Sequence, residues 1–125
     1  MRTTELMIND LVQEWNNDHT ETHIIKVEKP MREGVYDKWN HFHDADWIEP
    51  IPFTTDSAKK NGLIDYDDDI YQDDKFNWGI DFRNYEFYTF NEEVDNTIKP
   101  ILFFHDLQHA LRLVGLTEIA DNLKC

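Results

Sequence analysis

The chain has 125 residues, of which 12 are basic and 26 acidic, and its formal net charge at pH 7 is −14. Hydrophobic residues make up 40% and aromatic residues 14% of the sequence, which is enough for one folded domain and excludes a disordered acidic tail. The negative charge disfavours direct binding to a nucleic acid and favours basic protein surfaces.

The first half of the chain is predicted to be rich in β-strands. Residues 5–15 mix apolar side chains with a turn-forming pair, Asn9 and Asp10. The β-branched run at 23–27 predicts a strand, and residues 34–39 predict a second strand after a turn. Residues that precede proline are kept out of the helical region, so segment 47–53 is expected to be extended.

The second half combines helices and strands. Thr54 or Thr55 can cap a short helix that ends at Gly62. Strands are predicted at 77–83, 85–90 and 97–104, and a helix at 106–123 with a stop at Gly115. The prediction is therefore a single α+β domain, residues 1–125, with an antiparallel sheet and a packed C-terminal helix.

Residues 65–74 contain six aspartates in ten positions. This spacing resembles a calcium-binding loop only at its start, because Ile70 stands where an EF-hand needs glycine and Phe76 where it needs glutamate. The run is therefore predicted to be a solvated acidic loop.

Aromatic residues near these carboxylates predict a protein-binding surface, since Trp and Tyr often act as interface anchors and charge guides the approach of a basic partner. The predicted partner-binding residues are Asp65, Asp67, Asp68, Asp69, Asp73, Asp74, Tyr71, Trp78, Tyr88, Glu86, Glu92 and Glu93.

Metal binding and catalysis receive little support. His41 and His43 would point to one face of a strand beside Asp44 and Asp46, but a third and a fourth ligand cannot be named, and a solvated loop is the alternative. Ser57 is the only serine and no G-x-S-x-G motif occurs. We predict that the protein is not an enzyme and has no catalytic residues, metal or cofactor.

Cellular location follows from two further features. The single cysteine, Cys125, cannot close an internal disulfide. The N-terminus has no apolar run of signal-peptide length, and no apolar segment is long enough to cross a bilayer. These features predict a cytoplasmic protein without membrane partners.

Three segments in order resemble one family of small proteins common in Bacteroidetes genomes and in their phages and mobile elements. Residues 5–12 (ELMINDLV) resemble its ELRIGN-LV opening, residues 51–54 (IPFT) its PIPLTEEWL segment, and residues 104–111 (FHDLQHAL) its VHQLQNLYFAL helix. Two departures are that Asn9 replaces the glycine of the opening, and that the segment after Pro52 lacks the tryptophan and leucine.

The resemblance implies a phage or mobile-element origin and a small β-barrel-like half, about residues 1–53, followed by a helix, the acidic loop, a β-meander and a closing helix. RNA-guided nucleases hold guide and target in positively charged channels. The expected function is an anti-CRISPR protein that binds a type VI-B effector in the host bacterial cytoplasm. The alternatives are a phage accessory adaptor for another basic protein, and a small metal-dependent hydrolase that uses His41 and His43.

Overall fold

The computed structural model describes residues 1–67, 69–73, 75, 78–89 and 100–125. Contacts divide the chain into two compact units, Met1–Ile51 and Pro52–Cys125. The boundary lies close to residue 53, where the sequence predicted that the β-rich half ends.

The first unit contains six strands. They are β1 (Leu11–Trp15), β2 (Thr22–Lys26), β3 (Lys29–Pro30), β4 (Gly34–Tyr36), β5 (Phe42–Asp44) and β6 (Ile48–Pro50). These strands form two open antiparallel sheets, in the orders β2-β1-β6 and β3-β4-β5. The prediction that this half resembles a β-barrel is therefore wrong. Strands of two or three residues are too short to tilt and stagger around a closed barrel.

Local signals explain where the strands of this unit begin and end. Asn9 has φ 72°, a value that asparagine tolerates in turns. Its N–H donates to the carbonyl of Val27 at 2.7 Å, and the N–H of Val27 donates to the carbonyl of Asp10 at 2.9 Å. These bonds join the turn before β1 to the residue that follows β2, and the turn itself is closed by the N–H of Asp10, which donates to the carbonyl of Met7 at 3.1 Å. The core of the unit consists of Leu6, Val12, Ile25, Val27, Val35 and Ile48.

The second unit contains three helices and four strands. They are α1 (Thr55–Lys60), β7 (Ile64–Asp67), β8 (Ile70–Asp73), β9 (Trp78–Asp81), β10 (Glu86–Thr89), α2 (Phe104–Leu113) and α3 (Thr117–Asp121). The strands form one antiparallel sheet in the order β10-β9-β8-β7. The predicted α+β class with antiparallel sheets is confirmed. No helix in the described part of the chain is long and apolar enough to cross a membrane.

The start and end of α1 and the end of α2 lie at predicted residues, but α2 begins at Phe104, two residues before the predicted start at residue 106. The Thr54 side chain accepts the N–H of Ser57 at the start of α1, and Gly62 follows its end with φ 79°. Asp106 accepts the N–H groups of Leu102 and Phe103 at the start of α2. Gly115, at φ 83°, separates α2 from α3, so the predicted stop is confirmed.

Two predicted elements differ from the structure. The described residues of the acidic run lie mostly in strands and not in a loop, because β7 and β8 pair as a hairpin with Ile64 opposite Gln72 and Asp65 opposite Tyr71. The strand predicted at 97–104 is wrong from residue 100 onward, since only an isolated bridge joins Pro52 to Phe103 before α2 begins at Phe104. Residues 97–99 lie outside the described residues.

Candidate functional site

The imidazole ring of His43 lies between two carboxylates of the first unit. Its Nδ1 is 2.7 Å from Oε2 of Glu14, and its Nε2 is 2.8 Å from Oδ2 of Asp37. The His43 side chain is only 11% exposed. A carboxylate accepts hydrogen bonds, so this arrangement suits a ring that donates from both nitrogens, which is the protonated form.

The position of Glu14 is set by the pairing of β1 with β2. Glu14 lies directly opposite His23 in the register, and Nε2 of His23 is 3.1 Å from Oε1 of Glu14. Cross-strand neighbours on one face of a sheet are close enough for their side chains to interact. Each oxygen of the Glu14 carboxylate therefore contacts a different histidine.

Asp37 follows β4 in a tight turn. Its Oδ1 accepts the N–H of Trp39 at 2.9 Å and the N–H of His41 at 3.0 Å. The hydrogen bond with His43 is the largest of the effects that lower the pKa of Asp37 to about 2, and the two backbone N–H groups add to it. The contact with His43 thus keeps the carboxylate ionised, and the two backbone N–H groups fix its direction.

The carboxylates also act on the pKa of His43. Burial lowers this pKa, but the hydrogen bonds to Asp37 and Glu14 and the two negative charges outweigh burial and raise it above the ordinary value of 6.5. The charged form of the ring therefore persists to a higher pH than in an unperturbed histidine. We name Glu14, His23, Asp37 and His43 the histidine–carboxylate cluster.

The stability of the first unit is expected to depend on pH through this cluster. The stabilisation by Asp37 is present above its unfolded pKa of 3.8 and is lost as the pH falls through about 2. The stabilisation by His43 is complete below its unfolded pKa of 6.5 and is lost as the pH rises through its raised folded pKa. Thermal unfolding in a chelating buffer should show its highest midpoint between these two unfolded values.

The control for this prediction is His43→Gln, which keeps a polar side chain but cannot carry the charge. Its unfolding midpoint should vary less with pH above neutrality than that of the unmodified protein. Equal pH profiles for the two proteins would show that folding does not raise the pKa of His43.

A surface cavity of about 450 Å³ opens beside the cluster. His23, Asp37 and His43 form part of its wall. The other residues that line it are Ile24, Ile25, Lys26, Lys38, Trp39 and His41. The cluster therefore lies next to a space that can hold water or a small ligand.

The predicted pairing of His41 with His43 is only partly reproduced. Nδ1 of His41 is 3.9 Å from Oδ2 of Asp37, but its side chain is 75% exposed and does not join the contacts around Glu14. Asp44 accepts the N–H of Asp46 at 2.9 Å, so its carboxylate caps a local turn. Sequence reasoning missed Glu14 and His23, which strand pairing brings to His43 from distant positions.

The predicted acidic surface lies in the second unit. Asp65 and Asp67 are exposed on β7, Asp69 is exposed in the following turn, and Asp73 is half-buried at the end of β8. We name residues 64–67 and 69–73 the acidic hairpin. Four further predicted residues, Asp68, Asp74, Glu92 and Glu93, lie outside the described residues.

The aromatic residues predicted as anchors are not on this surface. Tyr71 is buried and Trp78 is 1% exposed, so both rings belong to the core and the prediction that they contact a partner is wrong. Tyr88 is half-buried and its hydroxyl donates to Oε1 of Gln72 at 3.1 Å, while Glu86 is exposed. Alternation along a strand selects two faces but does not say which face is buried.

A different aromatic residue is exposed on the acidic hairpin. Tyr66 is 68% exposed, and it stands between Asp65 and Asp67 on β7. Ile64, on the same strand, is also exposed. The signal that could have identified them is the alternation of Ile and Tyr with Asp, which the sequence interpretation treated as part of a loop.

Arg83 forms an ion pair with Asp81, close enough to the acidic hairpin to be affected by its charges. Nε and Nη2 of Arg83 each lie 3.0 Å from an oxygen of Asp81, a two-pronged contact. This hydrogen-bonded pair is the largest of the effects that raise the pKa of Arg83, and the charges of Asp67 and Asp69 add to it. The field of the acidic hairpin therefore favours a guanidinium group.

Comparison of the chain with models of known protein families, with curated proteins and with solved structures finds no match. The resemblance to the phage-borne family stays a prediction.

Proposed function

We propose that the protein acts by binding a basic protein, and that the acidic hairpin is its contact surface. The observation that carries this proposal is that all four residues of β7 are exposed and alternate between Ile or Tyr and Asp. Such a strand offers carboxylates for basic side chains and an apolar residue at every second position. Interfaces combine these two features, with an aromatic anchor inside a polar rim.

The charge of the whole chain supports the same class of partner. A net charge of −14 repels phosphate groups and accelerates the approach of a positively charged protein. Within the acidic hairpin, β7 is the outermost strand of the described order, and an extended basic segment could add to the sheet at such an edge. Its aspartates discourage pairing with another acidic strand.

Within this class, we propose a protein that itself holds nucleic acid, and an RNA-guided nuclease of type VI-B as the specific partner. The support is the positive channel of such nucleases and the resemblance of the chain to phage and mobile-element proteins. Binding would inhibit the nuclease in the host cytoplasm by occupying part of that channel. The alternative is an accessory adaptor that uses the same hairpin on another basic host protein.

The binding surface can be tested with neutralising substitutions of nearly unchanged shape. Asp65→Asn, Asp67→Asn and Asp69→Asn together should weaken binding to a purified type VI-B effector by about tenfold or more, since a loss of about 1.4 kcal/mol is tenfold. Binding of the unmodified protein should weaken between about 50 mM and 300 mM salt, because salt screens exposed charges.

The matched control neutralises three exposed carboxylates of the first unit, with Asp18→Asn, Glu21→Gln and Glu28→Gln. This variant has the same net charge and should keep most of its affinity. Equal losses in both variants would show that overall charge, not the acidic hairpin, determines binding.

The identity of the partner needs a separate measurement. Co-purification with a type VI-B effector, with and without guide RNA, should recover a stoichiometric complex. Recovery of a different basic protein from host lysate, with no effector bound, would support the adaptor and contradict the nuclease inhibitor.

A further inference from the structure

We propose that Glu14, His23 and His43 form a binding site for a transition-metal dication, with Zn²⁺ as the ion that fits best. This inference is independent of the proposed partner binding. The three residues belong to one unit of the chain, and two of them, His23 and His43, line the cavity.

The spacing of the donor atoms suits one ion. The candidate ligand atoms all lie within 4.8 Å of one another. The Glu14 oxygens are 3.1 Å from Nε2 of His23 and 2.7 Å from Nδ1 of His43. Two ligands of a tetrahedral zinc, each about 2.0–2.1 Å from the ion, are roughly 3.3 Å apart. Small side-chain movements would therefore bring all three atoms to bonding distance.

The ligands are carried by strands. Glu14 lies on β1, which is hydrogen-bonded to β2 on one side and to β6 on the other. His23 faces it from β2, and His43 comes from β5 of the other sheet of the same unit. An ion held by these three residues would join the two sheets. Sites on paired strands hold ligand geometry better than sites on loops.

Asp37 supplies the contact that orients a metal-binding histidine. A histidine that binds a metal through one nitrogen usually donates the N–H of its other nitrogen to a carboxylate or a carbonyl. On binding the ion, Nδ1 of His43 would release its proton to solvent, while Nε2, 2.8 Å from Asp37, would keep its proton. Asp37 is in turn fixed by the N–H groups of Trp39 and His41. Asp37 is thus a positioning residue and not a ligand.

The donor set determines the class of metal. Two imidazole nitrogens and one carboxylate oxygen suit Zn²⁺ and related transition metals, whereas Mg²⁺ and Ca²⁺ prefer oxygen ligands. Three protein ligands leave one position for water or a small ligand, the pattern found in catalytic zinc sites. The cavity of about 450 Å³ beside the cluster gives that position access from solvent.

The test measures metal binding directly on the full chain. The titrated protein is the Cys125→Ser variant, which lacks the single thiol that could bind metal. It is first treated with a chelator. Calorimetric titration with Zn²⁺ should show one equivalent bound with a dissociation constant in the micromolar range or tighter. Titration with Co²⁺ should produce the visible absorption of a four-coordinate site, and Mg²⁺ should not bind.

Two histidine variants form a matched pair on the wall of the same cavity. His23→Gln removes a proposed ligand whose side chain is 56% exposed, so the fold should be retained, and zinc affinity should fall at least tenfold. His41→Gln removes a neighbouring exposed histidine that is not a ligand, and zinc affinity should stay within about twofold.

The positioning role of Asp37 is tested by Asp37→Asn, which should lower zinc affinity by about 10–100-fold.

Three results would overturn the proposal. They are the absence of saturable zinc binding by the unmodified cluster, a loss of less than tenfold in His23→Gln, and an equal loss in His41→Gln. Circular dichroism of each variant checks the fold. If His23→Gln were unfolded, Glu14→Gln, which changes one ligand oxygen to an amide, would replace it with the same expected loss.

Discussion

Gly34→Ala is expected to open the pairing of β4 with β5. A Cβ atom at residue 34 would lie far inside contact distance of the His43 carbonyl oxygen, and 2.7 and 2.9 Å from two ring carbons of Phe42. Backbone of the adjacent strand cannot rotate away as a flexible side chain can. We expect a loss in unfolding free energy of about 1–3 kcal/mol or more, as for overpacked cores.

This substitution should also change the histidine–carboxylate cluster. His43 would move with β5, so its distance from Glu14 on the other sheet would increase and zinc affinity would fall. The measurements are urea unfolding and zinc titration of the same sample. The control is Gly115→Ala, where a Cβ atom meets nothing within 4 Å and only the left-handed backbone at φ 83° opposes the change. Its expected cost is about 1–2 kcal/mol, without loss of zinc affinity.

A loss of less than about 1 kcal/mol in Gly34→Ala would contradict the close approach of the two strands. If the Gly34→Ala protein were destabilised but bound zinc with unchanged affinity, the position of His43 would not depend on the packing at Gly34.

Trp78→Ala is expected to destabilise the second unit strongly. The indole lies on β9, between β8 and β10, is 1% exposed, and stacks on Phe87 with ring centroids 6.0 Å apart. Truncation of a buried tryptophan costs about 3–5 kcal/mol, because apolar contacts are lost and a cavity remains. The midpoint of thermal unfolding should fall by about 10 °C or more.

The matched variant is Tyr66→Ala, which removes an exposed aromatic ring from β7. Its unfolding free energy should change by no more than about 0.5 kcal/mol, as at other surface positions. Its affinity for the basic partner should fall, because Tyr66 is the aromatic residue exposed on the acidic hairpin. The opposite result would be a folded Trp78→Ala protein that loses partner binding and a Tyr66→Ala protein that keeps it. It would show that Trp78, and not Tyr66, is the aromatic residue needed for binding.

Some elements could be predicted from the sequence because their causes are local. The helix α1 starts after Thr54 and ends before Gly62 through contacts within one or two turns. The same holds for the turn at Asn9 and for the stop at Gly115. Capping side chains and residues that tolerate positive φ act on their immediate neighbours, so their effect is visible in a short window.

The acidic hairpin shows where local reasoning was insufficient. Carboxylates along 65–74 favour a loop, but Tyr71 and Gln72 are buried on β8, and β8 pairs with β7 on one side and β9 on the other. Ladder hydrogen bonds and burial on β8 outweighed the low strand preference of aspartate, a preference that depends strongly on context.

The sequence by itself determined the strong negative charge, the α+β class, the bounds of α1 and the stop at Gly115, because composition and capping need no distant partner. Only the tertiary structure decided that Glu14 and His23 meet His43, since these residues are brought together by the pairing of strands and by two sheets. It also decided that Trp78 is core and Tyr66 is surface. A period of two residues defines two faces of a strand, and only the packing of the whole unit determines which of them is covered.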